Sequence, residues 1–150
     1  MKEVKERTGS VINYRPGEVL DGKKLFELPV DVLIPAALPD VINQSNVNNV
    51  KAKIIVEGAN IPMREDIEEV LHWRKILVVP DFVANAGGVI SSYVEFIDGT
   101  PQDMFRLVEE KLKANTKIVL ERADKDKVKP RDAALKIAKE RVLRAMAKRR

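Results

Sequence analysis

A chain of 150 residues with 45% apolar and 33% charged side chains can bury one core, and its lack of cysteine excludes disulfides and thiolate metal sites. The formal charge of +4 invites a nucleic-acid partner, but the excess gathers at Arg141, Arg144, Lys148, Arg149 and Arg150, where it complements a helix dipole, and no basic run is interleaved with aromatics. No apolar run approaches the roughly 20 residues of a membrane span and Met1 to Arg7 holds no signal-peptide core, so the default expectation is a cytoplasmic protein with neither membrane nor nucleic acid as partner.

In chain order, Glu3 to Arg7 reads as the end of a helix stopped by Thr8-Gly9, as though the chain opened inside an element. Val11 to Tyr14 reads as a short strand or extended segment. Residues 1–29 are therefore expected to be an incomplete N-terminal segment with something missing upstream. Three runs follow that read as buried parallel strands: 30–34, 53–56 and 76–79. Each is rich in β-branched residues and stops at Pro35, Gly58 or Pro80. Their starts lie 23 residues apart, which suits successive strand-loop-helix units, because parallel strands need a crossover. The first crossover, Asp40 to Val50, is a weak, Asn-rich helix candidate. The second, after Pro62, puts Ile67, Val70 and Leu71 on one helical face, with Glu65 and Asp66 in the first turn.

Residues 86–97 are expected to be helical. Thr100-Pro101-Gln102-Asp103 then reads as an N-cap, a proline at the first helical position and an acidic third position. The helix it opens aligns Met104, Val108, Leu112, Val119 and Ala123. A last helix follows Pro130, with Ala134, Ile137, Ala138 and Ala145 on its inner face. The expected architecture is α/β: a single partial dinucleotide-binding domain over 1–150, with βα units at 30–97 and C-terminal helices at 101–150.

In an open parallel sheet, ligands bind where strands end. Those ends lead into Pro35-Ala36-Ala37, Glu57-Gly58-Ala59-Asn60 and Asp81-Phe82-Val83-Ala84-Asn85-Ala86-Gly87-Gly88. Small residues let a flat ligand approach the backbone, and amide side chains can bond sugar hydroxyls or a carboxamide. Taken singly, each loop is more readily an ordinary tight turn. Taken in this order, the words from Asp31 to Ala37, Val56 to Asn60 and Pro80 to Val89 resemble the glutamate/leucine/phenylalanine/valine dehydrogenase family. The likeness runs from about Lys5 to Met146 and includes Lys51-Ala52-Lys53-Ile54 and Arg131-Asp132-Ala133-Ala134.

The resemblance implies a Rossmann-type domain binding NAD or NADP beside a separate substrate domain. It places Ala36 and Ala37 along the cofactor, Asn60 near the nicotinamide ribose, and Asn85 at the head of the helix between nicotinamide and amino acid. The plain structural role for Asn85 is an N-cap before Gly87-Gly88. Asn85, Val89 and Ser92 are spaced to share one helical face. Members acting on glutamate resemble this chain in carrying Ser at the position of Ser92, where branched-chain members carry an apolar residue, so L-glutamate is the expected substrate, with Val89 and Ser92 beside it.

Two departures stand out: Ile61-Pro62-Met63 where the family has Gly-Pro-Thr, and the short connection Phe96 to Gly99. No G-x-G-x-x-G is present, and nothing resembles the family's catalytic lysine and aspartate. His72 reads as structural or solvent-exposed, and Asp81 as a cap. No catalytic residue and no metal ligand is assigned. The expectation is the C-terminal fragment of a glutamate dehydrogenase, inactive alone and completed by another chain or a homo-oligomer. The alternative is a non-catalytic nucleotide-binding or assembly module.

Overall fold

The computed structural model describes residues 1–15 and 17–148. Its centre is a parallel sheet of β1 (Val32–Leu33), β2 (Ile54–Val56) and β3 (Leu77–Val79), in the order β1-β2-β3. Val32 and Leu33 pair with Ile54 and Ile55, and Ile54 to Val56 pair with Leu77 to Val79. The α/β expectation holds, with shorter strands. β1 keeps only two residues of 30–34, because Val30 turns back onto the Leu28 carbonyl. β1 is also not buried: it is an edge, and Val32 remains 47% exposed.

Alternation along the strands sorts the core into two layers. Ile55 and Val78 join Ile42, Val47, Val50, Ile67 and Leu71 on one face. Val56 and Val79 meet Val83, Val119, Ala134 and Ile137 on the other. The first layer is closed by α2 (Glu65–Trp73), which buries Ile67 and Leu71 as its periodicity requires. The opposite layer is built by α3 (Asp81–Ala84), α5 (Pro101–Asp126) and α6 (Pro130–Ala147). α4 (Gly87–Phe96) links α3 to α5.

The cap of α5 forms as its sequence demands. The Thr100 hydroxyl oxygen accepts the Asp103 N–H, and Asp103 in turn accepts the Thr100 N–H, an arrangement contributing about 1 kcal/mol. Val119 and Ala123 of its stripe are buried, while Met104, Val108 and Leu112 are half-buried. On α6, Ala134 and Ile137 are buried as expected, but Ala138 and Ala145 are exposed and Ala133 takes the inner place. Arg141, Arg144 and Lys148 are exposed, and Arg149 and Arg150 lie outside the described residues.

Two local expectations are corrected. Residues 40–50 form no α-helix, only a 3₁₀ turn at Val47–Asn49. The asparagines there bond backbone instead: Asn46 accepts the Asn43 N–H at 2.9 Å and donates to the Val41 carbonyl at 2.8 Å, a competition with helix formation typical of this residue. Val11–Asn13 is a 3₁₀ turn capped by Ser10 rather than extended chain. The helix expected over 86–97 forms as α4, preceded by the separate short α3. At the N-terminus, α1 (Lys2–Thr8) ends at Gly9, whose φ of 76° is the left-handed cap glycine favours. Among the described residues no helix is long and apolar enough to cross a membrane.

Candidate functional site

The carboxyl ends of the three strands are stitched into one rim. The Ala59 N–H donates to the Pro35 carbonyl at 2.9 Å, joining the loops after β1 and β2. A side chain at Gly58 would lie 3.0 Å from the Ala36 Cβ, so these loops approach closely enough that a larger residue would push them apart by a few tenths of an ångström. The Glu57 N–H donates to the Val79 carbonyl at 3.1 Å, and the Asp81 N–H to Glu57 Oε2 at 2.8 Å, tying the second loop to the third.

Ala36 and Ala37 line an open cleft of about 970 Å³ that the 21–27 segment also lines, with Lys23 and Phe26. Asn60 and Asn85 stand outside that cleft and face each other: the Asn85 amide donates to Asn60 Oδ1 at 2.7 Å. Asn85 is not an N-cap. It follows α3, and Ala86 precedes α4. Val89 and Ser92 lie on the exposed side of α4, with Val89 76% exposed, and the Ser92 hydroxyl donates to the Gly88 carbonyl at 3.2 Å. The fold therefore couples Ala36 to the Gly58 loop and Asn60 to Asn85. Asn85 lies in the junction before α4, so it does not extend the helical face of Val89 and Ser92. His72 is half-buried and meets the edge of the Trp73 ring.

Beneath the amide pair lies a cluster that local sequence did not disclose. Arg131, at the start of α6, donates Nε to Glu68 Oε2 at 2.5 Å, Nη2 to Glu57 Oε2 at 2.7 Å and Nη1 to Asp81 Oδ1 at 3.2 Å. Its guanidinium also lies 5.4 Å from the centre of the Phe82 ring. Glu57 and Glu68 are buried, and each keeps one oxygen without a hydrogen-bond partner. Burial, reinforced by the charges of Glu68 and Asp81, pushes the Glu57 carboxyl up to about 7 despite the Asp81 N–H and Arg131. Burial works against the charge on Arg131, but Glu68, Glu57 and Asp81 outweigh it and hold its pKa above the ordinary value.

The second oxygen of Asp81 accepts the Ile61 N–H at 3.0 Å. Ile61 has φ 49°, the left-handed region that a β-branched residue resists and glycine enters freely. Its carbonyl accepts the Asp40 N–H at 3.0 Å. The sequence carries one signal of the cluster: Arg131 places a cation in the first turn of a helix, against the dipole, a position that calls for a compensating anion.

The sequence model of the glutamate/leucine/phenylalanine/valine dehydrogenase family matches residues 1–150. A glutamate dehydrogenase of Aeropyrum pernix is 43% identical over 96% of the chain, and an NADP-specific glutamate dehydrogenase of Saccharolobus shibatae is 40% identical over 98%. The chain spans only 37% of the length of each. Among solved structures, the hetero-hexameric glutamate dehydrogenase of Thermus thermophilus superposes over 99% of the chain and 36% of its own, with TM-score 0.83 and 28% identity. An L-tryptophan dehydrogenase of Nostoc punctiforme gives TM-score 0.78 at 28% identity, covering 97% of the chain and 42% of its own. The rim of three loops, the Rossmann-type sheet beneath it and the family match over the whole length place this chain in the glutamate/leucine/phenylalanine/valine dehydrogenase family.

Proposed function

We propose that the chain is the C-terminal part of an NAD(P)-dependent amino-acid dehydrogenase whose whole enzyme deaminates L-glutamate to 2-oxoglutarate and ammonia, and that alone it binds nucleotide without turnover. The observation that carries this is the Asn60–Asn85 amide pair at the carboxyl rim of a parallel sheet, beside the open cleft at Ala36 and Ala37. The pair leaves the Asn60 amide N–H groups to donate and the Asn85 carbonyl to accept, the two functions a ribose hydroxyl or a carboxamide needs. These residues fit a dinucleotide, which when bound supplies the hydride acceptor. Small side chains at Ala36 and Ala37 admit it, and Asn60 and Asn85 orient it. Val89 and Ser92 would meet the amino acid, and Ser92 would turn its hydroxyl from the Gly88 carbonyl to a side-chain carboxylate, the stronger acceptor.

Deamination also needs acid-base groups at the reacting carbon. Glu57 and Asp81 are buried on Arg131 below the rim and do not serve that need. The test incubates the chain with L-glutamate and NAD, then NADP, following reduced-nicotinamide absorbance. No turnover alone, with turnover on adding a chain that carries the upstream half of a relative, is expected. Steady turnover by the chain alone would overturn the proposal.

A second function, assembly without catalysis, is favoured by one feature: β1 is an open sheet edge with Val32 and Ile34 exposed. NADH binding that no complementing chain converts to turnover would select it.

A further inference from the structure

We infer that Arg131 is a positioning residue: by fixing the Asp81 carboxylate it holds the left-handed Ile61 backbone, and through it Asn60, in register with Asn85. Its consequence for nucleotide affinity rests on the dinucleotide proposal above, whereas its consequence for loop geometry does not.

The path is short and continuous. Arg131 Nη1 meets Asp81 Oδ1, Asp81 Oδ2 accepts the Ile61 N–H, Ile61 follows Asn60, and Asn60 Oδ1 accepts from Asn85. Asp81 itself opens the helix that Asn85 follows, so one carboxylate grips both loops of the amide pair. Three contacts of the guanidinium fork, to Glu57, Glu68 and Asp81, come from the loop after β2, from α2 and from α3. A planar fork with three anchors has little freedom, and together with the Phe82 N–H, which donates to the same Asp81 Oδ1 at 2.9 Å, it limits how far the carboxylate can turn away from the Ile61 amide.

Strain gives the clamp its purpose. A β-branched residue persists in the left-handed region only where its surroundings over-determine it. Ile61 is half-exposed, 48% by area, so packing alone does not hold it; the Asp81 carboxylate on its N–H and the Asp40 N–H on its carbonyl do. When the grip on Asp81 is lost, the backbone at Ile61 has a reason to relax, and Asn60 moves with it.

Residue-resolved amide exchange on the ligand-free chain tests the geometry. Arg131→Met is expected to speed exchange of the Ile61 amide by about tenfold relative to the Ile76 amide, which bonds the Leu71 carbonyl at the far end of β3. Ile137→Ala, which loosens the packing of the same helix, is expected to leave that ratio unchanged. An unchanged ratio in Arg131→Met, or the same change in Ile137→Ala, would overturn the positioning role. NADH titration then tests the path to the ligand. Arg131→Met is expected to weaken binding about tenfold with Asn60 present and less than about twofold in an Asn60→Ala background. Equal effects in the two backgrounds would mean that Arg131 does not act through Asn60. If the unaltered chain does not take up NADH, the dinucleotide proposal fails, and the exchange ratio still decides the clamp.

Discussion

Glu57 is a carboxyl that the fold holds against its own charge. Arg131 from α6 and the Asp81 N–H favour the anion, while burial and the neighbouring charges of Glu68 on α2 and Asp81 on α3 oppose it, and burial wins. The folded chain therefore holds a proton up to about pH 7 that the unfolded chain releases near 4.5. Stability falls as pH rises through that window, by roughly 3 kcal/mol in all, and is flat in this respect above and below it. Urea midpoints at pH 5 and pH 8 should show the decline, and Glu57→Gln, which keeps an acceptor for the Asp81 N–H, should remove most of it. A variant with an unchanged slope would assign the titration to another group. Ile61 gives a second consequence at this scale. Its left-handed backbone costs roughly 1–2 kcal/mol, a cost asparagine largely escapes without glycine's extra unfolded freedom. Ile61→Asn is expected to raise unfolding stability by about 1 kcal/mol in urea, and a loss of stability would show that the isoleucine side chain is held by contacts worth more than the strain.

Among the elements, what the sequence disclosed depended on the range of the forces that form them. β2 and β3 lie where β-branched runs end at Gly58 and Pro80, because a strand buried on both faces needs such a run. The start of α5 was legible from four residues, since its capping box is made wholly by Thr100 and Asp103. The 40–50 crossover departs from the helix its spacing suggests because its outcome turns on asparagine side chains taking backbone partners, which periodicity does not register. The inner face of α6 failed toward its end for a different reason: residues 141–148 are exposed throughout, so an apolar position there faces no partner. Of the site, Asn60 and Asn85 stand out singly in loop words 25 residues apart, but their pairing, like the clamp that joins Arg131 to Glu57 across 74 residues, appears only once the loops and α6 are docked.

At the scale of the molecule, the surface left open is unusually apolar where the rim continues into α4. Val89, Tyr93 and Phe96 repeat at helical spacing on one face, 76%, 55% and 84% exposed, and Phe105 at the start of α5 is 69% exposed. Aromatic rings standing in water are costly, and contiguous exposed patches mark contact sites. Val89 and Ser92, proposed to meet the amino acid, lie on the same side of the helix, so whatever covers this face also encloses that position. The curated relatives are nearly three times longer than the stretch they share with this chain, and the proposed function makes the upstream part of such a dehydrogenase the cover to test. Mixing the chain with that part should give a complex by sedimentation velocity and activity with L-glutamate. Phe96→Lys, at a position with no buried contact to lose, should weaken assembly about tenfold or more while leaving the urea midpoint of the chain alone within about 0.5 kcal/mol. A substitution that leaves assembly untouched would assign the covering surface to the β1 edge. Self-association of the chain that the upstream part cannot displace would instead make a second copy the partner of this face.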